Sequence, residues 1–129
     1  MMAKFDILNG LNVTANAVQT LSGTTPNNSA AIDMRGWEGL NVAMLTGTVT
    51  DAGTASGFTM KLQHSNTVVG TDFADVAAAD LLPAGGTTTV TVTTDAANGI
   101  LAGVVGYVGG KRYVRAVITG TSNTDATVH

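Results

Sequence analysis

The chain has no cysteine and little charge, and each shortage excludes a class of function. Without cysteine, its 129 residues cannot form disulfides, thiolate metal sites or a cysteine nucleophile. Charged residues make up 12% of the chain, about half the usual share, and the formal net charge is -3. A net acidic chain is poorly suited to nonspecific nucleic-acid binding, which requires a basic surface. Low charge is instead typical of structural proteins that bury large surfaces.

Residues that carry catalysis are also scarce. Glu38 is the only glutamate, and the histidines are His64 and His129. A catalytic triad finds no support, because Ser65 and His64 are adjacent and would point to opposite faces of a strand. Aromatic residues are 5% of the chain, too few to build the sugar platforms of a glycosidase. We therefore predict a protein that is not an enzyme, in which His64 is an ordinary strand-end residue.

Three aspartates lie near one another in the sequence, and two interpretations of them stay open. Asp72, Asp75 and Asp80 can hold calcium together, or they can be solvated and capping carboxylates. Their spacing does not match an EF-hand loop, and the chain has no His-x-x-x-His zinc motif. We predict that the protein requires no metal and no cofactor.

The length of the chain fits one domain, because domains usually contain about 100 to 200 residues. No apolar run approaches the roughly 20 residues of a membrane-spanning helix. The opening "MMAKFDILNG" has no apolar stretch of signal-peptide length. We expect a soluble protein with no membrane contact and no targeting signal.

Period-two alternation of apolar and polar residues recurs along the chain and predicts β-strands. The clearest example, residues 87–95, places Val90 and Val92 on one face. Further strands are predicted at residues 12–21, 30–34, 40–49, 57–66 and 111–120, with glycine-rich turns between them. Residues 73–82 favour a short helix that Pro83 would end. The pattern predicts an all-β fold, a single antiparallel β-sandwich or barrel-like domain.

The first 30 residues have weak and mixed signals. Residues 1–30 are predicted either to form an arm or edge strand that docks on a neighbouring copy or another protein by strand addition, or to be the ordinary first strand of the sandwich. The β-sandwich domain itself is assigned to residues 31–129.

Half of the basic residues fall within five positions near the end of the chain. They are Lys111, Arg112 and Arg115, in the last predicted strand. Arg112 and Arg115 lie on opposite faces of such a strand, so they cannot form one patch. We predict that Arg112 is tied to a carboxylate or to loop carbonyls of its own chain. Arg115 is predicted to lie outward, beside Tyr113 or an acid of the adjacent strand.

Four segments together resemble a family of small bacteriophage head proteins. They are "GWEGLNVAMLTGTVTD", "FTMKLQHSN", "FADVAAADLL" and "GYVGGKRYVRAVITGT", within residues 35–121. Proteins of this family are encoded beside the major capsid gene and are described as decoration, cement or head-stabilising proteins. The closing segment is the most specific of the four. The short tail "SNTDATVH" departs from the family, whose members often continue further.

The resemblance implies structural roles for a set of motif residues. The set comprises Gly36, Trp37, Gly106, Tyr107, Gly109, Arg112, Tyr113 and Arg115. In the family, Gly106 and Gly109 would turn the chain into the last strand, and Tyr113 would pack. Arg112 or Arg115 would hold a neighbouring loop. Trp37 follows a turn glycine and is expected to anchor the core.

The resemblance also implies a function at the surface of a virion. The protein would be made in the host cytoplasm and would bind the outside of a phage head as a homo-oligomer, trimer or dimer. There it would bridge subunits of the major capsid protein. The alternative is a carbohydrate- or host-surface-binding β-sandwich of a fibre or adhesin, or a tail component. Carbohydrate binding requires exposed aromatic residues, for which Trp37 and Tyr107 are the candidates.

Overall fold

β-Strands dominate the computed structural model, which describes residues 19–21, 24–49, 57–82, 88–92, 99–120 and 126–128. The strands are β1 (Gln19–Leu21), β2 (Asn27–Asn28), β3 (Ile32–Asp33), β4 (Leu40–Val49), β5 (Phe58–Ser65), β6 (Ala74–Asp75), β7 (Leu81–Leu82), β8 (Thr89–Val92), β9 (Leu101–Tyr107), β10 (Tyr113–Gly120) and β11 (Ala126–Val128). Single 3₁₀ turns occur at Gly70–Asp72 and Ala78–Asp80. Over these residues, no helix has the length and apolar character needed to cross a membrane.

The strands form two antiparallel sheets packed against each other, which confirms the predicted all-β sandwich. One sheet has the strand order β1-β11-β4-β9-β7. The other has the order β2-β10-β5-β6, with β3 also paired to β10 and β8 to β5. β10 and β5 pair without interruption from Tyr113 opposite Ser65 to Gly120 opposite Phe58. The strands predicted at residues 40–49, 57–66 and 111–120 are therefore present, the last beginning two residues later than expected.

The hydrophobic core lies between the sheets and consists of alternate residues of the long strands. Phe58, Met60 and Leu62 of β5 point inward, each almost fully buried. Tyr107 of β9 is fully buried and is the largest side chain in the core. On β10 the buried face includes Val114, as the predicted strand alternation required.

Strand β9 was not predicted, because its glycines resemble turn residues. Gly106, expected in a turn, lies inside this strand, and so does Gly103. Both positions lack space for a side chain. A Cβ atom at Gly103 would lie 2.8 Å from the side chain of Val90, and one at Gly106 would lie 2.9 Å from the side chains of Asn41 and Leu82. The glycines of β9 therefore permit close packing within and between the sheets.

The helix predicted for residues 73–82 is wrong, because this segment crosses from one sheet to the other. β6 pairs with β5, and β7 pairs with β9. The backbone N–H of Val76 donates to the carbonyl of Leu62 at 3.0 Å. Val76 and Leu81 are both buried, and five residues of α-helix would turn them about 140° apart. An extended segment broken by one 3₁₀ turn places both in the core.

Two short strands formed by described residues before position 31 pair within the chain. β1 lies at the edge of the five-stranded sheet, against β11, and β2 pairs with β10. β11 falls in the tail, for which no strand was predicted. Residues 1–18 lie outside the described residues, so the arm hypothesis for that part of the chain stays a prediction.

Candidate interaction site at the Trp37 end of the sandwich

The two motif segments of the sequence meet at one end of the sandwich. β4 begins shortly after Trp37, and β10 begins directly after Arg112. Because β4 and β10 belong to facing sheets, the loops that precede them lie side by side. They enclose a shallow depression of about 310 Å³, here called the Trp37 depression. Its lining consists of Met34, Arg35, Trp37, Asn66, Gly109, Gly110, Lys111 and Arg112.

Trp37 is turned toward solvent by its local backbone. Gly36 has a φ of 85°, in the left-handed region that favours glycine. The turn is closed by the N–H of Trp37, which donates to the carbonyl of Met34 at 2.9 Å. Met34 takes the inward position, whereas Trp37 is 44% exposed. The expectation that Trp37 anchors the core is therefore wrong.

Arg112 is tied to a carboxylate of its own chain, the first of the two kinds of partner that were predicted. Its Nε and Nη2 atoms donate to the two carboxylate oxygens of Asp33 at 3.2 and 2.9 Å. The guanidinium also lies 4.8 Å from the centre of the Tyr113 ring. Hydrogen bonds from Arg112 and from the backbone N–H of Arg35 hold the pKa of Asp33 below its usual value, and the same pair raises the pKa of Arg112. Both side chains remain substantially exposed.

The remaining charges of this end leave two cations available to a partner. Neither Arg35 nor Lys111 forms an ion pair within the described part of the chain. The exposed Glu38 follows Trp37 in the sequence and keeps the excess of positive charge small. The Trp37 depression thus combines an exposed indole ring with two basic side chains that no described carboxylate neutralises.

Tyr107 supports the depression from below. Its hydroxyl accepts a hydrogen bond from the backbone N–H of Lys111 at 3.0 Å and lies 3.1 Å from Nδ1 of His64. Burial raises the pKa of Tyr107 and lowers that of His64. Gly109 crosses the ring so closely that a Cβ atom there would lie 2.7 Å from it. Tyr107 therefore cannot be the exposed aromatic residue that carbohydrate binding required.

Arg115 lies away from the depression, on the outer face of the six-stranded sheet. Its Nε and Nη2 atoms donate to Oε1 of Gln63 at 3.0 and 2.7 Å, and Nη2 also donates to the carbonyl of Gly70 at 3.3 Å. The guanidinium lies 4.2 Å from the centre of the Phe73 ring. The predicted outward position is confirmed, but the contacts are with Gln63 and Phe73 and not with the predicted Tyr113 or an acid of the adjacent strand. Phe73 occupies the place expected for Tyr113, because the segment after β5 folds back over β10.

The three aspartates considered as a calcium site are not brought together. Asp75 accepts hydrogen bonds from Lys61 at 2.7 Å and from Gln63 at 2.8 Å. Asp72 accepts one from the hydroxyl of Thr67. Among the described residues, no group of three or more histidine, aspartate or glutamate side chains is placed to share a metal ion.

A second surface, which the sequence patterns did not single out, is the outer face of β4, β7 and β9. Cross-strand pairing places Leu45 beside Leu101 and Ala43 beside Val104. Leu82 of β7 lies beside Gly106 on the same face. The leucines and Val104 are each about half exposed. The set Asn41, Ala43, Leu45, Leu82, Leu101, Val104 and Gly106, called the β4–β9 face below, contains no charged residue.

The apolar character of β4 on both sides was the one signal for this surface. The sequence "LNVAMLTGTV" is apolar at first on both faces, which is typical of a strand covered on both sides. Within the described chain, only its Met44 side is covered, by the core.

Comparison with known proteins finds no match among protein-family models, curated proteins or solved structures.

Proposed function

We propose that this protein is a non-catalytic structural component of a bacteriophage virion. It would bind the outside of the head and bridge subunits of the major capsid protein. The observation that carries the proposal is the convergence of the "GW" and "GYVGGKRY" segments on the Trp37 depression. Two segments that resemble the head-protein family, far apart in sequence, form one exposed surface.

The composition of the Trp37 depression suits contact with another protein. Tryptophan and arginine are over-represented among the residues that dominate protein–protein binding energy, and here Trp37 lies beside Arg35. The depression is shallow, and half of its eight lining residues are polar or charged. Sites for small molecules are usually deeper and predominantly apolar. Arg35 and Lys111 favour a partner surface that presents carboxylates.

Several weak contacts with neighbouring capsid subunits would together give the protein its overall affinity for the head. A depression of this size buries less area than a stable one-to-one interface. A decoration protein that bridges neighbouring capsid subunits engages them simultaneously, and the effective concentration of the second contact raises the overall affinity. The function therefore requires no deep pocket.

Sedimentation with undecorated heads, assembled from the capsid protein encoded beside this chain, tests the proposal. We expect the protein to co-sediment with the heads. Trp37→Ala should weaken its affinity for the heads at least about tenfold. Lys111→Ala should weaken binding less. Lys61→Ala is the matched control, because Lys61 pairs with Asp75 on the outer face of the six-stranded sheet, away from the depression. Absence of co-sedimentation, or equal losses from Lys61→Ala and Lys111→Ala, would contradict the proposal.

Carbohydrate binding is the second candidate, and the exposure of Trp37 is the observation that favours it. Trp37 is the one aromatic side chain classed as exposed in the described ranges, which gives a sugar a single stacking surface. Isothermal titration with neutral and acidic oligosaccharides separates the two functions. Saturable binding that Trp37→Ala abolishes, without co-sedimentation with heads, would favour the glycan function.

A further inference from the structure

We propose that the β4–β9 face binds a second copy of this chain, so that two five-stranded sheets stack across a two-fold axis. This proposal is independent of the capsid-binding function. It arises from the difference between the outer faces of the two sheets and concerns a surface distinct from the Trp37 depression.

The outer face of the six-stranded sheet has its charges satisfied within the chain. Lys61 is paired with Asp75, and Arg115 covers the Phe73 ring while it donates to Gln63. These charged side chains are bonded to each other or to neighbouring polar groups of the same face, and they keep that face hydrated. Such a face gives little free energy on association, because its charges would have to lose water.

The β4–β9 face has the opposite character. Leu45, Leu82, Leu101 and Val104 are 47%, 49%, 55% and 50% exposed. Together they form an apolar patch on the order of 300 Å², the size at which the largest patch on a monomer is often functional. One side of a standard interface buries about 800 Å², of which somewhat more than half is apolar. The patch therefore supplies most of the apolar area that a stable dimer needs.

A second copy fits this face better than a partner with a patterned polar surface. The face offers one polar side chain, Asn41, so it provides no charge for a partner to recognise. The net charge of -3 would oppose association of two copies if it were concentrated there. Because the face is uncharged, two copies meet without repulsion and without desolvating an ion. A two-fold axis places the same patch on both sides, so an apolar face is complementary to itself.

The proposed contact has the geometry of ordinary sheet packing. Residues 41, 43, 45 and 104 project from the same side of β4 and β9, and sheets that pack face to face lie about 10 Å apart.

Multi-angle light scattering during size-exclusion chromatography, over a range of concentrations, tests the proposal. We expect a mass of twice 13.0 kDa for the unmodified chain. Leu101→Lys and Val104→Lys place a charge in the contact and should convert the protein to a monomer, with at least about a hundredfold weaker association. The matched control is Val68→Lys, since Val68 is 66% exposed and lies outside the face. It should leave the dimer intact.

Circular dichroism and thermal melts of the same variants separate loss of association from loss of folding. Both lysine variants should keep the β spectrum of the unmodified chain. A 13.0 kDa monomer at all concentrations would overturn the proposal. So would a trimer, or a dimer that survives both substitutions. A monomer whose binding to heads is lost in Leu101→Lys would instead assign the face to the capsid protein and reject the dimer.

Discussion

At the scale of single residues, the two arginines of the last strand have different roles. Arg112 pairs with Asp33 where both side chains are about 40% exposed, and exposed ion pairs contribute little to stability. Arg115 is held by Gln63, by the Gly70 carbonyl and by the Phe73 ring at once. The more stabilising arginine is therefore Arg115, which forms no ion pair with a described carboxylate.

Arg115→Ala should lower the free energy of unfolding by about 1–2 kcal/mol, because it removes charged hydrogen bonds and a cation–π contact. Arg112→Ala should have a clearly smaller effect. Urea unfolding of the two variants measures both values. A larger loss from Arg112→Ala would mean that its pair with Asp33 is more stabilising than its exposure indicates.

Position 109 requires glycine because there is too little space above the Tyr107 ring for a Cβ atom. Gly109→Ala should destabilise the protein by about 1–3 kcal/mol, the usual cost of overpacking, because the ring beneath it is fully buried and cannot move aside. Gly110→Ala is the control, since no atom lies within 4 Å of a Cβ atom there. Thermal melts should show a lower midpoint for Gly109→Ala and little change for Gly110→Ala. Equal midpoints for the two variants would exclude this steric role.

His64 makes stability depend on pH. Burial lowers its folded-state pKa from the ordinary value of 6.5, so the unfolded chain takes up a proton more readily than the folded one. The Tyr107 hydroxyl, which already accepts from Lys111, can donate to Nδ1 of His64 only while Nδ1 carries no proton. The contribution of His64 is therefore complete above pH 6.5 and is lost as the pH falls toward the folded-state pKa.

His64→Asn should reduce this pH dependence, because the asparagine amide does not titrate. The unmodified protein should lose more unfolding free energy than the variant between pH 7.5 and pH 5. Urea melts at several pH values measure this difference. Asp33 and Asp75 have lowered pKa values, so their contribution to stability is lost only at a lower pH, below their ordinary pKa of 3.8. Parallel curves for the two proteins between pH 7.5 and 5 would contradict the assignment.

At the scale of elements, the segment from β6 to β7 closes one edge of the sandwich. It is held in β6 by pairing with β5 and in β7 by pairing with β9. The backbone N–H of Val108 donates to the carbonyl of Asp80 at 2.9 Å and fixes the loop that covers Tyr107. This short segment therefore pairs with both sheets and is hydrogen-bonded to the loop that borders the Trp37 depression.

Leu81 and Leu82 offer a matched test of that element, because neighbouring strand residues point to opposite faces. Leu81 is 1% exposed, and Leu81→Ala should cost about 2–4 kcal/mol as a cavity-forming substitution. Leu82 lies on the β4–β9 face, and Leu82→Ala should change the stability of the monomer little. Urea unfolding at low protein concentration compares the two. Similar losses would mean that β7 does not have this orientation.

At the scale of the whole molecule, three surfaces differ in charge and apolar character. The Trp37 end carries two cations without an ion pair among the described residues, the β4–β9 face is apolar, and the outer face of the six-stranded sheet has internally paired charges. A dimer through the β4–β9 face would present two Trp37 depressions, so self-association and head binding would reinforce each other by multivalency.

Head binding should accordingly depend on salt, and self-association should not. Arg35 and Lys111 are exposed, so salt screens their attraction to carboxylates within about 10 Å at 0.1 M. Raising the salt from 0.05 to 0.5 M should weaken co-sedimentation with heads several-fold, while the mass measured by light scattering stays constant or shifts toward the dimer. Head binding that is insensitive to salt would mean that Arg35 and Lys111 do not take part.

Local sequence patterns predicted the all-β class, the long strands β4, β5 and β10, and the faces of β10. Alternation and β-branched residues are local properties, so they can be read without the fold. The partner of Arg112 was also predicted in kind, as a carboxylate or loop carbonyls of its own chain, because a guanidinium at the start of a strand can reach the rim of the sandwich.

The remaining features depend on contacts between residues that are distant in the sequence. β9 was hidden because Gly103 and Gly106 are required by neighbours that are distant in sequence, namely Val90 and Leu82. The burial of Tyr107 and the exposure of Trp37, which was expected in the core, also depend on contacts that are distant in the sequence. Both aromatic residues border a glycine turn, and only packing against the opposite sheet determines which one is buried. The β4–β9 face exists because pairing brings β4, β7 and β9 together, which no local pattern records.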